Sequence, residues 1–205
     1  MQKELINQTM AMFDSAEKWD AFIDLSNMRG DVVNEWFRKI KTPLTAYFQK
    51  NLPDRWGFES WWDSSCDMRW YLKEFGKNSL ALTTVWKYQF CLHLEDASTF
   101  DSDLITNRLK DPEYAEILLA FDRIDEPPTD PKFKVREIRN YHFDASCPYN
   151  GHFNDEDVSQ LAWYAANRTS EFVSQIISKV ERLTNDRKIT DLLYKLNGEA
   201  KRLTQ

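Results

Sequence analysis

Glycine is scarce in this chain, with only five in 205 residues, and the five are scattered. That scarcity excludes a glycine-rich loop able to cradle a phosphate with backbone N–H groups. A nucleophile elbow and an HExxH helix are absent as well, so no standard hydrolase or metalloprotease signature is present. Cysteine is limited to Cys66, Cys91 and Cys147. An odd number at wide spacing points to reduced thiols rather than a disulfide framework. There is also no long hydrophobic run. The stretch 117–121 is typical of the short ones, far below the roughly 20 residues of a membrane-spanning helix. The opening residues, MQKELINQTMAMF, lack the continuous apolar core of a secretory signal. The expectation is a cytoplasmic protein that does not enter a membrane.

What is present is aromatic and charged. The chain is 42% hydrophobic and 14% aromatic, with 8 Trp and 13 Phe, which argues against disorder. It is enough for the core of one domain spanning 1–205. The net charge of −6 is unevenly placed. Residues 101–131 carry 3 Lys/Arg against 9 Asp/Glu, whereas residues 132–205 carry 12 against 10. The total disfavours non-specific nucleic-acid binding, although a local basic face would still permit it.

The hydrophobic period divides the chain into helical ends and a strand-rich middle. Asp14 with Glu17 resembles a capping box for a helix carrying Trp19, Phe22 and Ile23. Gly30 reads as a helix stop, with a new helix from Asp31 carrying Val32, Val33, Trp36, Phe37, Ile40, Leu44 and Phe48. Pro43 should kink or split that helix. Trp19, Trp36, Trp70 and Trp86 lie on apolar stripes and are expected in the core. Alternation over 68–75 and again over 80–94 predicts strands, with a turn at Gly76 and Asn78. In 80–94 the apolar parity never switches. The run is therefore one long strand or a hairpin with an odd-length loop. Residues 101–109 and 111–124 read as short helices, the second with Pro112 in its first turn. Residues 125–131 read as a loop and 133–143 as a further strand. From Asp155 to Leu183 the pattern predicts a single long helix, followed by another through Ile189, Leu192, Leu193, Leu196 and Leu203. The fold class is therefore α+β: an antiparallel sheet of three to five strands flanked by N-terminal helices and a C-terminal helical pair. The long helix, with Trp163, Val173 and Ile177 beside its main stripe, suggests a homodimer through the C-terminal pair.

Three constellations bear on function. Glu137-Ile138-Arg139 after Asp130 is the nearest approach to a metal-dependent nuclease set, but Arg does not replace a titratable Lys. His142, Asp144, Cys147 and His152, with Cys91 and His93 nearby, are zinc-competent residue types whose spacing fits no standard zinc pattern. No metal and no cofactor is expected. The third is the polar parity of the strands: Arg69, Tyr71, Lys73, Lys87, Gln89, His93, Lys134, Arg136, Asn140 and His142. It carries five permanent cations opposed mainly by Glu95. Such a face suits an anionic ligand or an acidic partner, and it is equally what the solvated side of a one-sided sheet presents. Residues 51–66 read as a turn-rich connection, whose Trp56, Trp61 and Trp62 are available to stack on a ligand or to plug the gap between sheet and helices.

Residues 68–82, MRWYLKEFGKNSLAL, resemble accessory α+β domains found beside bacterial nucleases, and nothing about site or activity is carried over from that resemblance. The reading is a non-enzymatic binding or regulatory protein using Arg69, Lys73, Lys87, His93, Arg136, His142, Trp61 and Trp62 toward an anionic ligand or a protein partner. The alternatives are a nucleic-acid-processing or nuclease-accessory domain on the same face, and a structural homo-oligomeric subunit.

Overall fold

The computed structural model describes residues 2–60, 66–85, 89–96, 98–119 and 155–202. Four helices open the chain: α1 (Gln2–Met12), α2 (Ala16–Asn27), α3 (Arg29–Arg38) and α4 (Lys41–Asn51). Ser15, not Asp14, caps α2; its extended backbone lets Oγ accept from the Lys18 N–H, while Asp14 pairs with the Lys18 ammonium. Gly30 does not stop a helix. The chain stays right-handed through Met28, with the Val32 N–H bonding the Met28 carbonyl, so α2 and α3 follow each other almost without interruption. A glycine stop needs a positive φ, which among the described glycines only Gly76 adopts. The split expected at Pro43 is present. Lys39 and Ile40 form a tighter turn, and Pro43 falls in the first turn of α4, where its missing N–H costs nothing.

The sheet is an antiparallel meander in the order β1 (Trp56–Ser60), β2 (Cys66–Leu72), β3 (Leu80–Val85) and β4 (Gln89–Leu94). β3 and β4 pair from Leu80↔Leu94 to Val85↔Gln89, which leaves three residues between them. This is the hairpin with an odd-length connection that the unswitched parity allows. Gly76, at φ 78°, supplies the left-handed residue of the β2–β3 turn. Gly57 meets a different demand. A Cβ there would lie 2.6 Å from the ring of Tyr71, its cross-strand partner, so only glycine lets that ring lie across β1.

Even-numbered strand residues form the main core face. Met68, Trp70, Leu72, Leu80, Leu82, Leu92 and Leu94 are all buried. Phe48 of α4 packs edge-on against Trp70 at 5.0 Å and also meets Phe58. The chain then forms α5 (Ser102–Arg108), a 3₁₀ turn at Pro112–Tyr114, and α6 (Ala115–Leu119). Asp101 caps α5, and Pro112 opens the 3₁₀ turn. The remainder of the predicted helix to 124, the loop 125–131 and the predicted strand 133–143 lie outside the described residues.

The single long C-terminal helix is instead two: α7 (Asp155–Asn167) and α8 (Thr169–Thr184), broken at Arg168 with φ −126° and ψ 43°. The cause is local. Asn167 Nδ2 donates to the Trp163 carbonyl, and Thr169 Oγ1 donates to the carbonyls of Ala165 and Ala166. Side chains thus take acceptors that a continuing helix would use. Val173 is buried and Ile177 packs against the chain's own core, so the extra apolar residues on α8 are already covered. α7 runs beside α3, and α8 packs on α4 and on the last helix, α9 (Arg187–Ala200).

α9 closes the core. Asp186 caps it, and Trp56, which is buried at the opening of β1 and does not lie in a connecting loop, donates Nε1–H to Thr190 Oγ1 at 3.3 Å. The buried Asn197 side chain accepts from the Leu80 N–H at 3.0 Å and donates to the Leu80 carbonyl at 3.1 Å. It takes the place of a neighbouring strand where β2 has turned away. The acidic segment folds onto this helix: Lys188 pairs with Glu116, Lys195 with Glu113, and Arg108 with Glu199. The buried Tyr114 donates to Glu199, and its hydroxyl is pushed up to about 12 by burial and by that hydrogen bond. The charge asymmetry of the sequence is therefore partly matched inside the fold.

Candidate functional site

Of the predicted ligand residues, Arg69, Lys73 and His93 fall among the described residues. Lys87, Arg136, His142, Trp61 and Trp62 lie outside them, as do His152 and the residues 130, 137–139, 144 and 147 of the metal readings.

Arg69 departs most from expectation. Strand parity placed it on a solvated face, yet it is 1% exposed. The reason lies on the next strand. Ala81 and Thr83 of β3 are short and themselves buried, so the Arg69 side chain lies across β3 and reaches β4. Nη1 donates to His93 Nδ1 at 3.0 Å and to Thr83 Oγ1 at 3.4 Å. Nη2 donates to the carbonyls of Ser79 and His93. Glu95 Oε2 stands 3.5 Å from Nη1.

This arrangement fixes the state of the imidazole. A guanidinium only donates, so Nδ1 of His93 accepts and the ring proton resides on Nε2. Burial, with the adjacent Arg69 charge, holds His93 below its ordinary value, against a weaker upward pull from Glu95. Although Glu95 also lies 3.4 Å from His93, its charge is therefore matched to Arg69 and not to an imidazolium. On the same face Lys77 pairs with Glu59 at 3.4 Å, and burial pushes the Tyr71 hydroxyl up, with Glu59 adding to it. The described part of the face is thus a set of matched pairs, and Arg69 braces β2 to β4 through a fork that a lysine could not reproduce.

Lys73 is not part of this cluster. It lies past the end of β2, exposed, with Nζ donating to the Asp54 carbonyl at 2.8 Å. The structure brings Arg69 and His93 together and leaves Lys73 apart. Among the described residues no group of three His, Cys, Asp or Glu side chains is placed to hold a metal ion. No helix among them is long and apolar enough to cross a membrane.

A second candidate surface was not expected. From residue 6 to residue 32 every residue is exposed except Phe13, which is half-buried. Within that arm nine large apolar side chains face outward: Ile6, Met10, Met12, Trp19, Phe22, Ile23, Leu25, Met28 and Val32. Phe13 turns the chain by packing on Trp19 at 5.5 Å and on Phe22 at 4.7 Å, yet Trp19 remains 49% and Phe22 41% exposed. The placement of Trp19 in the core is therefore corrected. Its stripe is genuine, but the described part of the body does not cover it. Burial begins only at Phe37, Ile40, Leu44 and Phe48. Periodicity does not distinguish a stripe facing the body from one facing outward. A usable signal was the additional apolar residues Leu25, Met28 and Val32, which a single core-facing stripe does not need.

Comparison with known proteins finds no matching family model, no similar curated protein and no similar solved structure.

Proposed function

We propose that this chain is a non-enzymatic binding protein whose docking element is the N-terminal arm, residues 6–32, formed by α1, α2 and the start of α3. The observation that carries the reading is the arm's exposure: nine large apolar side chains on a segment that buries no residue fully. Helices of this length are marginal in water without a packed face, and contiguous apolar surface of several hundred Å² marks interaction sites. The arm is also acidic, with six Asp/Glu against three Lys/Arg in residues 1–32, which disfavours an anionic lipid surface. The Arg69–His93 cluster is taken up within the sheet, its groups holding strand carbonyls and one another, so the reading rests on the arm. An anion-binding role for the polar strand parity of the sequence rests on Lys87, Arg136 and His142, which lie outside the described residues.

A photoreactive residue at Leu25, compared with one at the exposed Lys110 on the body, tests the docking reading in cells. A discrete adduct from position 25 that disappears with Phe22→Glu is expected. Absence of any adduct, or equal adducts from both positions, removes the reading.

A further inference from the structure

The arm presents its apolar residues on two sides. At about 100° per residue, Trp19, Phe22 and Ile23 fall within one third of the circumference of the α2–α3 helix, and Leu25, Met28 and Val32 fall within a separate band. The Phe13 ring packs on Trp19 and Phe22 of the first band. One further helix cannot cover both bands, but two can. At roughly 100 Å² per side chain, the nine residues offer about 900 Å², close to what one partner contributes to a stable interface.

We propose that the occupant of the arm is the arm of a second copy of this chain, the two helical pairs closing into a four-helix bundle. This rests on the docking reading above and names its partner. A two-fold pairing gives each copy the two additional helices its two bands require, and it meets the area requirement from one surface used twice. The charge makes the proposal distinctive. Asp14, Glu17, Asp20, Asp24 and Asp31 outnumber Lys18 and Arg29, so two copies repel at the rim. Salt screens exposed charges within about 8–10 Å at physiological ionic strength. Self-association should therefore tighten as salt rises, whereas capture of a basic protein would weaken.

Sedimentation of the full chain up to about 100 µM, above the micromolar end of affinities for such areas, is the test. A reversible dimer that tightens from low to high salt is expected. Phe22→Glu combined with Leu25→Glu should weaken it at least tenfold and leave the melting temperature of the body unchanged, since neither side chain is buried. The photoreactive residue at Leu25 in purified protein should give an adduct of twice the chain mass. A monomer at the highest concentration, or a dimer indifferent to the two substitutions, overturns the second-copy proposal. If the cellular adduct then joins Leu25 to an unlike chain, the docking reading stands without it; if no adduct forms anywhere, both fall.

Discussion

The arm and the body are built from similar material with opposite outcomes. α2 carries Trp19, Phe22 and Ile23, and α4 carries Leu44 and Phe48, each at helical spacing. Yet Phe48 is closed in by the rings of Trp70, Phe58 and Tyr47, whereas Phe22, 41% exposed, packs on its own neighbours Phe13 and Trp19. An apolar stripe states that a helix requires a cover. It does not state whether the cover belongs to the same chain.

Truncating each phenylalanine tests that contrast at its strongest. Phe48→Ala opens a cavity between α4 and the sheet and should lower unfolding free energy by about 3–5 kcal/mol, read by chemical denaturation. Arg69→Met comes next. It leaves the carbonyls of Ser79 and His93 without their donors, and a loss of about 2–4 kcal/mol is expected. A change below about 0.5 kcal/mol, the size of an ordinary surface substitution, would mean that this side of the sheet behaves as a solvated face after all. A smaller effect concerns pH. The folded-state pKa of His93 is lowered from 6.5, so below that value the unfolded chain takes up the proton more readily. Stability should fall as pH drops from the unfolded value toward the folded one, and His93→Gln should flatten that slope in a series of melts. Phe22→Ala should be the smallest: within about 0.5 kcal/mol in dilute protein, because the side chain is 41% exposed and its ring packs within the arm, away from the core. A loss matching that of Phe48→Ala would erase the distinction between arm and body.

Much of the body was legible because its signals are local. The even parity of Leu80, Leu82, Leu92 and Leu94 specifies one buried face and leaves open one long strand or a hairpin with an odd-length connection; the pairing Val85↔Gln89 selects the hairpin. Asp101, Pro112 and Pro43 act where their chemistry places them. The errors arose where a side chain's role depends on a distant neighbour. Alternation assigns Arg69 to the watered face, but Ala81 and Thr83 leave a trough that a long side chain can cross. The shortness of those two residues was a visible signal. The break at Arg168 was also visible in Asn167 and Thr169, although the apolar pattern runs through it unchanged. With α7 and α8 separate, Val173 buried and Ile177 packed on the core, the length and two of the three extra apolar residues no longer argue for association through the C-terminal pair, while Trp163 stays 46% exposed.

The Asn197 amide has a consequence for how the chain reaches its fold. Each strand of the meander pairs with its immediate successor, so the sheet can assemble from contacts close in sequence, which favours speed. Its β3 edge, however, is completed by a side chain 117 positions away. During synthesis the four strands emerge well before that residue exists. For that interval the Leu80 peptide groups and the sheet surface that α9 covers stand open, which is when nascent chains are vulnerable to one another. Vectorial synthesis thus separates sheet formation from sheet closure, and a ribosome paused between β4 and α9 would hold the molecule at its most adhesive stage.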